Sequence, residues 1–100
     1  MEAYLTRLRL AGIPAFVVAR GDATAGAVIV KCATLDGRAR AFQRGYAADG
    51  SRAWMLLAEG TDAEVDAALA RQRGYDPDLW LIEVEDRAGR HLLDEPGLND

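Results

Sequence analysis

One cysteine, one histidine and three prolines are all that the hundred residues hold of those types. Cys32, being alone, excludes an intrachain disulfide and fits a reducing compartment. A single histidine, His91, excludes the usual multi-histidine zinc centres. Long apolar runs are missing too. The longest stretches, such as Trp54 to Ala58 and Leu79 to Ile82, fall far short of the roughly 20 residues of a membrane span. The opening Met1-Glu2-Ala3-Tyr4-Leu5-Thr6-Arg7 has no charged segment followed by an apolar one, so no secretory signal is expected. These absences point to a cytoplasmic protein of bacterial style, with no membrane partner.

What is present is enough for one domain, residues 1–100. Half of the residues are hydrophobic and 28% are charged, which excludes the disordered class. A chain of this size holds about 5–15 kcal/mol of net stability unaided, so folding calls for no metal or cofactor. The net charge of −4 is unevenly spread. Met1 to Ala58 carries eight basic and four acidic residues, and Glu59 to Asp100 carries four basic and twelve acidic. Such asymmetry marks either an interaction face or two halves that complement each other within one fold.

Periodicity predicts a helix over Glu2–Ala11, with Tyr4, Leu5 and Leu8 on one face and Gly12 and Pro14 ending it. Four strands follow: Ala15–Arg20, Ala27–Thr34, Arg38–Tyr46 and Arg52–Ala58. The second is apolar on both faces, as a central strand would be. Asp36-Gly37 and Asp49-Gly50 are turn signals, and close succession implies antiparallel pairing. Thr61-Asp62-Ala63-Glu64 is a capping-box pattern that opens a helix over Asp62–Arg73, with Val65, Ala68, Leu69 and Gln72 inward and Gly74 as its stop. Asp76-Pro77-Asp78 then turns the chain into a fifth strand, Leu79–Glu85, with Trp80, Ile82 and Val84 on one face and Glu83 and Glu85 on the other. Arg90–Leu93 is read as a short sixth strand, and residues 96–100 as a frayed tail. The predicted class is α+β: an antiparallel sheet of five or six strands with two helices, in the order α-β-β-β-β-α-β-(β).

Particular runs carry a resemblance. Gly12-Ile13-Pro14-Ala15, then Arg20-Gly21-Asp22 with Ala25-Gly26-Ala27-Val28, resemble the opening of a small bacterial family, domain of unknown function 1491. Glu64-Val65-Asp66, Arg71-Gln72-Arg73, Asp76-Pro77-Asp78-Leu79-Trp80, Glu83-Val84-Glu85-Asp86-Arg87 and Gly89-Arg90 extend the likeness over nearly the whole chain. The Asp-Pro-Asp-Leu-Trp run is its most specific piece. The resemblance implies a compact alphaproteobacterial α+β domain, whose other members have a longer lead-in to the first helix. It brings no catalytic residue with it.

Four groups of residues bear on chemistry. Asp76, Asp78, Glu83, Glu85 and Asp86, with His91 near in sequence, form an acidic set that suits a hard cation, a solvated strand edge or ion pairs to arginines. An extended strand sets Asp78 and Glu83 about 15 Å apart, so the set cannot meet one ion and no metal site is expected. Arg38, Arg40 and Arg44 share a strand face with Phe42 and Tyr46. That face suits phosphates and bases, or cross-strand pairs to Glu83 and Glu85; overall acidity opposes nucleic acid as the partner. Gly21 to Gly26 has phosphate-loop spacing but puts Ala27-Val28 where lysine and a hydroxyl are needed, so it reads as a turn. Cys32 and His91 could be a nucleophile and its base, but the thiol lies in the most apolar strand.

Two functional expectations follow. The first is a non-enzymatic interaction domain, self-associating or docking on a protein partner, with Trp54 and Trp80 as core or interface anchors. The second is a small ligand-binding regulator or enzyme, in which the acidic turn at Asp76 and Asp78 and the face of Arg38, Arg40 and Arg44 line one pocket for a small molecule.

Overall fold

The computed structural model describes residues 2–22, 26–46, 48–50 and 52–93, apart from the side chains of Tyr46 and Arg52. The frayed-tail expectation for residues 96–100 and the side chain of Tyr46 lie outside the described residues. The elements are α1 (Glu2–Leu10), β1 (Ala15–Ala19), β2 (Val28–Ala33), β3 (Arg38–Tyr46), β4 (Arg52–Thr61), α2 (Asp62–Tyr75) and β5 (Trp80–Glu85). Two helices and a five-stranded sheet bear out the α+β class and its element order.

The strands lie in the order β1-β5-β2-β3-β4. Three of the four pairings are antiparallel, and β2 with β5 is parallel, Val28 opposite Trp80 and Ala33 opposite Glu85. The sheet is therefore mixed rather than wholly antiparallel. The last strand enters between the first two, so β1 and β2 are sequence neighbours that do not touch in the sheet. Burial accounts for this choice. β2 is buried along nearly its whole length and β5 along half of it, and the centre of a sheet covered on both faces is where such strands belong.

The helices cover opposite faces. Tyr4 and Leu8 of α1 pack with Val30, Cys32, Ile82 and Val84 on one side. Val65 and Leu69 of α2 pack with Ile29, Ala39, Ala41 and Leu81 on the other. Alternation along each strand divides its side chains between the two cores. The Thr61 hydroxyl accepts from the Glu64 amide and the Glu64 carboxylate accepts from the Thr61 amide, both at 3.1 Å, which completes the capping box. β4 runs three residues beyond the predicted Ala58 and hands the chain directly to that cap.

Two expectations are corrected here. Gly74 does not stop α2, which continues through Tyr75 to a cap at Asp76, whose amide donates to Gln72 O at 2.9 Å. Gly74 takes no positive φ; the residue before Pro77 is the one driven out of helical geometry. Arg90–Leu93 forms no strand. Leu93 instead plugs the α1-side core, and Tyr4 Oη donates to the His91 carbonyl at 2.6 Å, tying this segment to the first helix.

Candidate functional site

The hairpin register of β3 and β4 decides where the arginines go. Arg40 lies opposite Glu59 and Arg44 opposite Trp54. Arg40 Nε approaches Glu59 Oε2 at 3.7 Å, and the Arg44 guanidinium stands 5.4 Å from the centre of the Trp54 ring. Glu83 and Glu85 are two strands away with β2 between, and Glu83 faces α2 rather than α1. Among the described residues no ion pair joins these glutamates to Arg38 or Arg40, although Arg38 lines a smaller cavity of about 270 Å³ with both of them.

Asp76 and Asp78 serve the chain itself. Asp76 Oδ1 accepts from the Asp78 amide at 3.1 Å, and the Asp78 carbonyl accepts from the Asp22 amide at 2.9 Å. Trp80 Nε1 donates to the Asp22 carbonyl at 2.8 Å, so this turn and the indole together hold the chain leaving β1. The turn precedes β5 beside Val28, whereas Arg38 follows the far end of β2. A strand of that length separates them by on the order of 20 Å. The acidic turn and the Arg38 and Arg40 face therefore cannot line one pocket.

Arg38 and Arg40 do line a cavity of about 450 Å³ with Thr34, Asp36, Glu59 and Arg87. Both of its walls are tied down. The Thr34 hydroxyl donates to Asp36 Oδ1 at 2.6 Å and the Arg38 amide donates to the same oxygen at 3.1 Å. Those bonds hold the Asp36 carboxyl below its usual range. On the other wall Asp86 takes both Arg90 Nε and Nη2, at 3.1 and 2.8 Å, and the Arg90 amide at 2.8 Å. The side-chain bonds from Arg90 foremost, then its amide, hold the Asp86 carboxyl down at about 2. The Asp86 amide donates to Ala33 O at 3.0 Å, fixing the Arg87 loop beside the end of β2.

Lys31 is the charged residue that sequence reasoning passed over. It is 3% exposed and its ammonium lies 2.7 Å from Asp62, 2.8 Å from Asp66 and 3.3 Å from Glu83. Burial pulls its pKa down, but the bonds to Asp62 and Asp66 and the charge of Glu83 prevail and raise it. The signal was available: the chain's one lysine interrupts Val-Ile-Val-Lys-Cys-Ala, an otherwise apolar central strand. An ammonium kept charged in this way is a fastener between α2 and the sheet rather than a nucleophile.

Cys32 is buried in the α1-side core, and burial first, then Asp86, push its thiol up. His91 Nδ1 accepts from the Leu93 amide at 3.1 Å, and its ring packs 4.6 Å from Phe42, tilted by 56°. Neither arrangement favours a thiolate attacking substrate. Among the described residues no group of three or more His, Cys, Asp or Glu is placed to hold a metal ion. No helix among them is long and apolar enough to cross a membrane.

The β1 edge is the other surface of note. Phe16, Val17 and Val18 are 53, 38 and 52% exposed on a strand that carries no charge. Beside it runs a groove of about 370 Å³ lined by Leu5, Arg9, Ile13, Pro14, Ala15, Phe16 and Val17.

Comparison with known proteins places the chain. No curated protein matches it. A crystal structure of a DUF1491 family protein from Caulobacter crescentus CB15 superposes with a TM-score of 0.85 at 42% identity, over 95% of this chain and 91% of that one. An NMR structure of a DUF1491 family protein from the same organism gives 0.81 at 43% identity, over 95% and 88%. The solution structure of protein Atu0922 from A. tumefaciens gives 0.71 at 30% identity, over 84% and 79%. The family model described as protein of unknown function (DUF1491) matches residues 1–94, and the chain belongs to that family.

Proposed function

We propose that this protein is a non-enzymatic interaction domain that self-associates by pairing the β1 edge of one copy with that of another. Three successive exposed apolar residues, Phe16, Val17 and Val18, on an edge strand carry this reading. Pro14 O accepts from the Glu85 amide, so antiparallel alternation turns the polar backbone groups of Phe16 towards β5 and those of Ala15 and Val17 outward. Those outward groups are a template for a further strand. An uncharged Ala-Phe-Val-Val-Ala strand meets its own copy about a two-fold axis with no like charges opposed. The second edge is a poorer candidate. β4 also exposes Met55 and Leu56, but it carries Glu59 where β1 has no charge, while each edge has one register shift, between Val17 and Ala19 in β1 and at Leu57 in β4. A lone buried thiol supports a reducing, cytoplasmic setting.

Size exclusion with light scattering over a wide concentration range tests the reading. A dimer mass is expected for the wild type. Val17→Pro removes an outward amide, which an edge strand tolerates, and should give a folded monomer. Phe16→Lys, opposite Glu83, should do the same by charging the edge. A wild type that is monomeric at every concentration overturns the proposal, as does a dimer that both variants leave intact.

A further inference from the structure

We propose that the cavity between the β2–β3 turn and the loop after β5 is a binding site for a small phosphorylated molecule, its phosphate gripped by Arg38 and Arg87. Three arginines line this one space, from β3 and from the loop that follows β5. Its two carboxylates are already engaged. Asp36 is held by Thr34 and the Arg38 amide, and Glu59 sits against Arg40. Neither Arg38 nor Arg87 has a carboxylate within ion-pair distance among the described residues. Asp36 and Glu64 feel the Arg38 charge at longer range, but no carboxylate of the described residues holds either fork of N–H donors in an ion pair, and such forks are the geometry that planar and tetrahedral oxyanions accept best.

Rigidity makes this more than a basic patch. Arg38 leaves a turn closed by Asp36, and Arg87 leaves a turn closed by the bidentate Asp86–Arg90 pair and by the Gly89 amide on Asp86 O at 2.9 Å. Tied backbones fix where each arginine side chain begins, so binding has only the side-chain rotamers left to order. Arg40 behind them, screened by Glu59, adds positive charge without being needed as a ligand. A space of about 450 Å³ is within the range of small-molecule pockets and leaves room for the organic part of a phosphomonoester. The neighbouring Thr34 hydroxyl and Gly89, whose φ of +75° keeps a side chain out, border that room.

The test is a titration of isotope-labelled protein with inorganic phosphate, followed by amide chemical shifts, with sodium chloride at matched ionic strength and succinate as parallel arms. Phosphate should shift the amides of Gly37, Arg38, Arg87 and Gly89 along saturable curves that chloride does not reproduce. Arg38→Gln and Arg87→Gln, both at exposed positions, should each weaken binding about tenfold, as expected for loss of a charged hydrogen-bonding partner, while the rest of the spectrum stays unchanged. Shifts that chloride reproduces, that map elsewhere or that survive both substitutions overturn the site. Tighter binding of succinate than of phosphate overturns the choice of ligand. Neither result depends on the oligomeric state, so this site and the β1 edge stand or fall separately.

Discussion

Lys31 Nζ sits 2.7 Å from Asp62 Oδ1, joining the middle of the sheet to the first residue of α2. Asp66, one turn further on, adds a second bond at 2.8 Å. The ammonium is buried, while the side chains of Asp62 and Asp66 remain about half exposed, at 49 and 57%. Water can take over those carboxylates if the lysine is lost, which moderates the penalty expected of a fully buried pair. Lys31→Ala is expected to cost about 2–3 kcal/mol, below the usual figure for a broken buried pair, and Lys31→Met about half of that, because methionine keeps the packed stem. Urea unfolding of the three proteins measures both. The folded-state pKa of Lys31 is raised, so its contribution is whole below the ordinary lysine pKa of 10.5 and is lost as the pH climbs past it. The gap between wild type and Lys31→Met should therefore close only in strong alkali.

The Asp86–Arg90 pair works in the opposite pH window. Its carboxyl is held at about 2 in the folded protein against an ordinary 3.8. As the pH falls through that interval the unfolded chain takes up the proton first, so stability drops. The melting-temperature difference between wild type and Asp86→Asn should be constant above about pH 5 and vanish as the pH approaches 2. A gap that persists at the acid end contradicts the assignment of the shift to this pair.

Cys32 should behave as a core residue. With its thiol pushed up by burial, a thiol reagent at neutral pH is expected to label the native protein only as fast as it opens, and to label it at once in denaturant. Cys32→Ser sets a hydroxyl among Val30, Ile82 and Val84 and should cost about 1–3 kcal/mol by thermal or chemical unfolding. Prompt labelling of the folded chain argues for a reactive thiol instead.

Two glycines separate steric need from mere tolerance. A Cβ on Gly21 would stand 2.0 Å from the Asp78 carbonyl oxygen and 2.6 Å from the Leu79 carbonyl carbon. Both are backbone atoms that cannot step aside, so Gly21→Ala should lose about 3 kcal/mol, the upper range for overpacking. Gly74 lies inside α2 with open space around it. Gly74→Ala should gain about 0.5–1 kcal/mol from reduced freedom of the unfolded chain. Thermal unfolding of the pair gives shifts of opposite sign if this reading is right.

Much of the architecture is legible in the sequence. β3 was located to the residue, since Asp36-Gly37 and Asp49-Gly50 bracket it and both glycines take positive φ, +88° and +86°. The α2 cap was legible because Thr61 and Glu64 satisfy each other's amides within four residues. The Asp86–Arg90 clamp is less legible, since the sequence around Asp86 is dense in carboxylates and nothing in the spacing singles out one of them as half of a bidentate pair. Lys31 was passed over because its three partners lie 31, 35 and 52 residues away. The alternation of Arg38, Arg40 and Arg44 shows a shared face, but spacing alone leaves open whether it meets phosphates or Glu83 and Glu85, and the hairpin register gives Arg40 and Arg44 their neighbours Glu59 and Trp54 on β4.

Element type, hairpin turns, the capped helix and the two inward stripes were thus set by the amino-acid order itself, because each depends on spacing within a few residues. Strand neighbours were settled only by tertiary structure. Which strand takes the centre depends on covering both of its faces at once, and α1 and α2 do so from opposite ends of the chain. That non-local requirement slid β5 between β1 and β2, left β1 as an edge, and brought Arg87 to the same cavity as Arg38.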